Sequence, residues 1–250
     1  LGNTIELKAG STPFKIDVET VDLNIPIRAA GATLEVFGSD YLQDLYASSP
    51  FEVRVMYKVN GAVKWVGYIT QDTFSQDYSN PEFIYEIECA SALSVLKYKK
   101  MDVSALKLSL LDIIKSAIYY AGYERAYLTD TVRTKSREGH NLYYTFKLAS
   151  ANFIDELGEV NTYYEALEEI ATYLTCTFTP YNDSLMLINY EGIKKGENNY
   201  YKIDDSPISL VELKDVTTVQ QLGYRGTGAT ISRIAGYSKA SVNCSLYELD

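Results

Sequence analysis

The sequence holds few of the residues from which reactive sites are usually built. Among 250 residues there are only three cysteines and one histidine. Cys89, Cys176 and Cys244 are widely spaced, which indicates neither a zinc site nor a disulfide framework, and we expect all three in the core. His140 lies in a polar stretch, although any Ser-His-Asp or Cys-His arrangement would have to use it. We therefore predict no enzyme activity and no catalytic, cofactor-binding or metal-binding residue.

Long apolar runs and excess positive charge are also missing. No run reaches the roughly 18 apolar residues that a membrane helix needs, so we predict no membrane insertion. Lys plus Arg number 23 against 33 Asp plus Glu, a net charge of -10. Such an acidic chain is poorly suited to phosphate backbones, so we predict no specific nucleic-acid binding. We expect the one dense basic cluster, residues 97–100, to be a solvated helix end.

Two further motifs are too weak to indicate a ligand. Gly223, Gly226 and Gly228 lack the Lys-Ser/Thr ending of a phosphate-binding loop, and we interpret them as a flexible connector. Residues 72–77 include acidic side chains without the spacing of a calcium loop. No signal peptide is visible, and a chain that begins at Leu1 rather than Met suggests a trimmed or processed product.

The acidic pairs of the sequence consist of neighbours. Glu168 and Glu169 are adjacent, as are Asp204 and Asp205. Adjacent side chains point about 100° apart on a helix and to opposite faces on a strand, so neither pair forms an evident acid–base couple. We expect both pairs to be solvated surface. The number of carboxylates still leaves a hydrolase open as a minor alternative.

Apolar residues and tyrosine are plentiful. Hydrophobic residues make up 46% of the chain, which is enough for a packed core. There are 23 tyrosines against 8 phenylalanines and 1 tryptophan. Tyrosine combines a large contact area with a polar tip and is enriched at interfaces, but strands also favour it. Both readings of the tyrosine excess remain open at this point.

The first hundred residues have the period-two pattern of half-buried strands. Apolar and polar residues alternate over residues 4–8, 14–18 and 33–37, with interruptions at 10–13 and 29–31. Asn60-Gly61 tolerates positive φ at both positions and predicts a type I′ hairpin between strands at 51–59 and 62–69. A further strand is predicted at 83–89 and a short helix at 40–46. So many short strands favour a barrel or a sandwich.

Helical periodicity appears after residue 100. The spacing predicts a helix over 110–121, with Ser109 and Asp112 as a capping box and Gly122 as its stop. A second helix is predicted over 163–174, capped by Thr162 and Glu165. Its predicted buried stripe consists of Tyr164, Leu167, Ile170, Ala171 and Leu174. A hairpin should follow, with strands at 175–179 and 184–190.

The remaining segments complete the predicted organisation. Residues 129–141 are polar and are predicted to be a loop, while strands are predicted at 208–213, 230–234 and 240–246. We therefore predict an α+β chain that is mainly β. Its three parts are a β domain at 1–100, an α+β middle domain at 101–205 and a β segment at 206–250.

Two stretches resemble the phage and prophage tail hub proteins, also called tail-associated or baseplate hub-like proteins. Residues 53–97 contain the Asn60-Gly61 hairpin, the Trp65-Val66-Gly67-Tyr68 strand and a returning strand that leads into a short helix. Residues 164–171 and the strand at 185–188 resemble the helix and strand pair of the middle domain. Residues 10–14 and 26–28 look like versions from Bacteroidetes phages.

The resemblance implies a structural role in a virion tail. It implies a tail-tube-like barrel at 1–100, and residues 206–250 would be part of a second barrel. It further implies a homo-oligomer, with a trimer favoured, that is made in the bacterial cytoplasm, docks on the tail tube and connects it to tip or spike proteins. Genome DNA would pass through the lumen without specific binding. The alternative is a receptor- or glycan-binding β module.

Overall fold

The computed structural model describes residues 8–18, 25–38, 47–70, 83–132, 142–204 and 206–213. The described residues are mainly β and form twelve strands and four α-helices. The strands are β1 (Lys8–Val18), β2 (Ala30–Gly38), β3 (Arg54–Val59), β4 (Ala62–Ile69), β5 (Phe83–Ser91), β6 (Lys107–Ser109), β7 (Arg125–Thr129), β8 (Lys147–Ala149), β9 (Thr177–Tyr181), β10 (Ser184–Ile188), β11 (Asn199–Ile203) and β12 (Ser209–Glu212). The helices are α1 (Leu110–Ala121), α2 (Leu142–Thr145), α3 (Tyr163–Leu174) and α4 (Tyr190–Lys194).

The N-terminal strands form one antiparallel sheet in the order β1-β2-β5-β4-β3. The predicted hairpin joins β3 to β4, and its turn residues Asn60 and Gly61 have φ values of 50° and 79°. This confirms the hairpin, because a type I′ turn requires positive φ at both central positions. The strands predicted around 14–18, 33–37, 62–69 and 83–89 are confirmed as well.

This first sheet is curled so that its two end strands approach each other. Its concave face buries a small cluster around Val36, Trp65, Tyr85 and Ile87. Phe14 on β1 reaches Tyr57 on β3 across the mouth of the curl. Among the described residues, no backbone pairing joins β1 to β3, so the sheet is a half-barrel rather than the closed barrel that was predicted.

Residues 10–13 interrupt the regular pairing of β1, as predicted, although the strand itself continues through them. The pairing of β1 with β2 shifts register between Ala9 and Phe14. Glu35 of β2 holds this irregularity, because its carboxylate accepts hydrogen bonds from the Thr12 N–H and the Ser11 hydroxyl, each at 3.0 Å. The Thr12 hydrogen bond lowers the pKa of the Glu35 carboxyl.

Two other predictions about this region have different outcomes. Residues 30 and 31 begin β2, so the interruption predicted at 29–31 is shorter than expected. The short helix predicted at 40–46 lies outside the described residues, and so does the strand predicted at 4–8 apart from Lys8.

The second sheet has the order β12-β11-β7-β10-β9. Only β7 and β10 are parallel; the other neighbours are antiparallel. The hairpin predicted after residue 174 is confirmed, with its strands at β9 and β10. β7 and β11 were not predicted, because each has five residues and neither shows a clean apolar alternation. The strand predicted at 208–213 is confirmed as β12, which pairs with β11. The strands predicted at 230–234 and 240–246 lie outside the described residues.

Both predicted helices have the predicted bounds and capping boxes. The Ser109 hydroxyl accepts the Asp112 N–H at 3.1 Å, and Gly122 ends α1 with φ of 75°. The Thr162 hydroxyl accepts the Glu165 N–H at 3.2 Å at the start of α3. One detail of the buried stripe is wrong: Tyr163 is fully buried, whereas Tyr164 is half-buried beneath the Lys97 ammonium group.

The segment that precedes β2 of the first sheet forms backbone hydrogen bonds with the second sheet. We call residues 25–28 the strap. Arg28 N–H donates to the Phe178 carbonyl and Phe178 N–H donates to the Pro26 carbonyl, both at 2.8 Å, so the strap runs parallel to β9. The Ile27 side chain is buried in the large core that α1 and α3 share with the second sheet. The strap therefore covers the edge of the second sheet at β9.

Candidate docking surface

The structure brings together none of the candidate reactive residues named from the sequence. His140, Cys244, Asp205, the three glycines 223, 226 and 228, and residues 72–77 lie outside the described residues. Cys89 and Cys176 are buried free thiols, as expected for core residues. Burial raises the pKa of each of these two thiols to about 12, so both are protonated at neutral pH.

The carboxylates lie in separate places. Glu168 is exposed on α3, as predicted for solvated surface, but its neighbour Glu169 is half-buried. Asp204 is also half-buried, and it forms a 2.6 Å ion pair with Lys202 that lowers the pKa of its carboxyl. Within the described part of the chain, no three His, Cys, Asp or Glu side chains are placed to hold a metal ion. None of the described helices has the length and apolar character to cross a bilayer.

A group of exposed apolar side chains lies at the two ends of the curled sheet. Several large apolar side chains of β1 and β3 are exposed there, including Val18 at 57% and Met56 at 45%. We call this set the end-strand surface. Its members are Ile16, Val18, Met56, Tyr57 and Val59.

The backbone of the same two strands is also open to pairing. Within the described residues, β1 pairs only with β2 and β3 pairs only with β4. The outer edge of an end strand presents a row of N–H and C=O groups that can pair with a strand from another chain. Exposed apolar side chains beside such an edge supply the contact area that strand pairing alone lacks.

Aromatic side chains on the concave face of the first sheet pack beneath the end-strand surface. The Trp65 indole is only 4% exposed and lies over Gly67. Gly67 is two residues further along β4 and therefore faces the same side of the sheet as Trp65. A Cβ atom at Gly67 would overlap both this indole and the Ala90 carbonyl oxygen. Phe14 packs edge-on against Trp65, with ring centroids 5.5 Å apart. The Trp-x-Gly spacing of the sequence therefore has a packing reason.

The basic cluster at residues 97–100 is more than a solvated helix end. Two of its ammonium groups lie over tyrosine rings, Lys97 over Tyr164 at 4.5 Å and Lys99 over Tyr120 at 4.2 Å. These cation–π contacts join the short 3-10 helix Ser94–Tyr98 to α1 and α3. Lys100 is 3.8 Å from Glu159.

Sequence reasoning located the end strands but not the surface they form. The alternation at 14–18 and the Asn60-Gly61 hairpin predict strands at these positions, and β1 and β3 confirm them. The predicted half-burial is wrong, since among the described apolar side chains of the two strands only Phe14 and Val55 are half-buried and the others are exposed. Exposure of Met56 and Val59 depends on β3 being last in the sheet, which is a property of strand order. The available signal was the high apolar content of residues 53–59, which exceeds what one buried face requires.

Two solved structures match part of this chain. One is the 43 kDa tail protein of prophage MuSo2 from Shewanella oneidensis, with 14% identity and a TM-score of 0.41 over 64% of this chain. The other is a tail protein from Neisseria meningitidis MC58, with 16% identity and a TM-score of 0.44 over 72% of this chain. The chain spans 44% and 47% of the two proteins, respectively. No protein-family model and no curated protein matches it.

Proposed function

We propose that this chain is a structural component of a phage or phage-like tail, a hub or tail-tip protein that docks on the tail tube and connects it to the tip. The observation that carries the proposal is the end-strand surface. Two strand edges that have no partner strand among the described residues, flanked by exposed apolar side chains, suit a protein whose work is assembly. The sequence resemblance over residues 53–97 supports the tail as the setting.

Docking would proceed by strand addition. A strand from a neighbouring subunit can pair with the outer edge of β3 or β1, and the exposed Met56 or Val18 side chain can pack on it. When the edge at one end of a sheet pairs with the opposite end of the next copy, the contact is heterologous and builds a ring. The curl of this sheet would then line such a ring, and a trimer is the favoured oligomer.

The acidic composition supports a position around the DNA path. The net charge of -10 would repel a passing genome, so DNA could slide through a lumen without adhering. On the outer face of the curled sheet, Glu35 and Glu86 are directly paired neighbours on β2 and β5. In this proposal the protein acts in the virion tail and has no enzyme activity.

The experiment is co-expression of the chain with the tail-tube protein encoded near it, followed by size-exclusion chromatography and negative-stain microscopy. We expect a ring-shaped oligomer that caps one end of the tubes. A Met56→Glu, Val59→Glu double variant should fold but fail to cap tubes, whereas Ile84→Glu, also on an exposed apolar position but on central strand β5, should cap them normally. A chain that stays monomeric and binds no tail component would sink the proposal.

A receptor- or glycan-binding module is the second candidate. It is favoured by two exposed tyrosine rings, Tyr119 at 78% and Tyr98 at 67%, because open aromatic faces can stack on sugar rings. A glycan array probed at high protein concentration tests it. Binding that is lost in Tyr119→Ala and Tyr98→Ala variants would support this candidate, and an array without any bound glycan would dismiss it.

A further inference from the structure

A groove lies where β3 of the first sheet meets the end of α1 and the second sheet. Its volume is about 770 Å³. Four basic and two acidic side chains line it, although the whole chain is strongly acidic. The basic ones are Arg54, Lys115, Arg125 and Lys202. A cationic depression in an anionic protein concentrates negatively charged groups from solution.

Two of these cations are already neutralised. Arg125 contacts Glu124 at 2.8 Å and Asp183 at 3.3 Å. Lys202 contacts Asp204 at 2.6 Å. The acidic side chains of the groove are therefore committed to these partners. Arg125 and Lys202 stiffen one wall but offer little charge to a ligand.

The other two cations have no acidic partner among the described residues. Lys115 is exposed on α1 and forms no ion pair there. Arg54 is also exposed, and one of its Nη atoms donates to the Gly122 carbonyl at 2.6 Å. This hydrogen bond fixes the guanidinium in place while its remaining N–H groups are available to a second acceptor. The groove thus presents one fixed and one mobile positive charge.

The end of α1 holds Arg54 in this position. Gly122 adopts the left-handed conformation with φ of 75°, and a Cβ atom there would lie 2.8 Å from the Tyr68 hydroxyl and 3.5 Å from Arg54 Nε. Tyr68 donates its hydroxyl to the Ala121 carbonyl at 3.2 Å. Two side chains of the first sheet therefore bind the last carbonyls of α1, and the glycine leaves room for both.

We infer that this groove binds an acidic segment of a protein partner, with a carboxylate placed between Arg54 and Lys115. A carboxylate fits the fork of a guanidinium in a bidentate contact. Only two cations lack acidic partners, which suits one or two carboxylates. With a net charge of -10, the chain would repel a polyphosphate or a nucleic acid, which carries a charge at every residue, more strongly than a segment with one or two carboxylates.

The location of the groove connects this inference to assembly. Arg54 is the first residue of β3, whose outer edge belongs to the end-strand surface. An extended partner segment that pairs with β3 would reach the groove at one end of the strand. The inference rests on the proposed function in this respect, since the segment would belong to another component of the assembly.

The test measures fluorescence anisotropy of a labelled serine-rich peptide that has two glutamates and blocked ends, at about 50 mM salt, where charge interactions are weakly screened. We expect Lys115→Glu to weaken peptide binding about fivefold or more, and Lys115→Gln to have a smaller effect. The matched control is Lys107→Glu, an exposed lysine on β6 outside the groove, which should change binding less than about twofold. Circular dichroism melts establish that each variant is folded.

Three outcomes would overturn the inference. They are no peptide binding at low salt, equal weakening by the Lys115 and Lys107 variants, and tighter binding of an oligothymidylate than of the two-glutamate peptide. The tube-capping experiment separates this inference from the proposed function. If the unmodified chain caps tubes and the Lys115→Glu variant caps them equally well, only the role of the groove in assembly is overturned. If the unmodified chain does not cap tubes, the proposed function is overturned.

Discussion

The rings of Phe14 and Tyr57 stack on each other although they belong to the two opposite ends of the first sheet. Their centroids are 4.4 Å apart and their planes differ by 6°. Phe14 lies on β1 and Tyr57 on β3, which three other strands separate in the sheet. This contact spans the gap in the half-barrel where the described strands are not hydrogen bonded. The curled shape of the sheet is therefore stabilised at this gap by side-chain packing and not by backbone hydrogen bonds.

The first prediction concerns the coupling between these two rings. In a double-mutant cycle of Phe14→Leu and Tyr57→Leu, measured by urea unfolding, we expect a coupling free energy of about 0.5–1.5 kcal/mol, because stacked rings gain more than their buried area. The control cycle pairs Phe14→Leu with Tyr127→Leu on the second sheet, where the effects should add. A coupling below about 0.3 kcal/mol for the stacked pair would contradict the packing role.

The second prediction compares two glycines of the first sheet. Gly67→Ala should lower the free energy of unfolding by about 2 kcal/mol or more, because the added methyl group overlaps the Trp65 indole and the Ala90 carbonyl. Gly31→Ala on β2 is the matched control, since its Cβ would meet only the Cys89 carbonyl oxygen, at 3.5 Å. We expect that control to be near neutral in chemical unfolding. Equal costs at the two positions would show that the indole can move aside.

The third prediction concerns Trp65 itself. Trp65→Ala should lower the free energy of unfolding by about 3–5 kcal/mol, because a buried indole leaves a large cavity. Trp65→Phe should cost clearly less, since the indole Nε1 has no hydrogen-bond partner among the described residues. Thermal unfolding followed by far-ultraviolet circular dichroism measures both. An unchanged melting temperature in Trp65→Ala would mean that this residue is not part of the core.

Elements that depend on interactions between residues close in the sequence could be predicted, whereas elements that depend on contacts between distant residues could not. The bounds of α1 and α3 follow from signals within a few residues, namely the capping boxes of Ser109 and Thr162 and the glycine at 122. The Asn60-Gly61 turn is equally local. β7 and β11 escaped prediction because their five-residue strands owe their structure to pairing across the second sheet.

The surfaces depend on contacts between distant parts of the chain. The Asn60-Gly61 hairpin placed Met56 and Tyr57 on a predicted strand, but only the strand order shows that this strand ends the sheet. Arg54 and Lys115 become neighbours in a groove because the last carbonyls of α1 bind to the first sheet. No spacing within the sequence encodes that docking, so neither residue could be selected as functional beforehand.

The fourth prediction tests whether the strap makes the two sheets unfold together. Ile27→Ala should lower the free energy of unfolding by about 2–4 kcal/mol, because this side chain is buried in the core of the second sheet. Fluorescence of Trp65, the single tryptophan, reports the first sheet, and helical circular dichroism reports α1 and α3. Both transitions should shift equally. The exposed Ile16→Ala is the control and should cost less than about 1 kcal/mol, and separate transitions in the unmodified chain would contradict a single cooperative unit.

The fifth prediction is a loss of stability at alkaline pH that originates in the buried thiols. Burial raises the pKa of Cys89 and Cys176 from 9.0 to about 12. Below pH 9 both states of the protein keep these protons. Between pH 9 and about pH 12 the unfolded chain releases them while the folded chain retains them, so the free energy of unfolding falls as pH rises.

A comparison of variants isolates this contribution from that of the buried tyrosines. At pH 10 each thiol should reduce the free energy of unfolding by about 1–1.5 kcal/mol relative to pH 8. A Cys89→Ala, Cys176→Ala variant should therefore show a smaller decrease over this interval than the unmodified chain, whatever its stability at pH 8. Cys244 is present in both proteins, so its titration cancels in the difference. Parallel pH profiles of urea unfolding would show that the two thiols ionise as readily in the folded chain as in the unfolded one. Water would then reach the core around Cys89 and the core around Cys176.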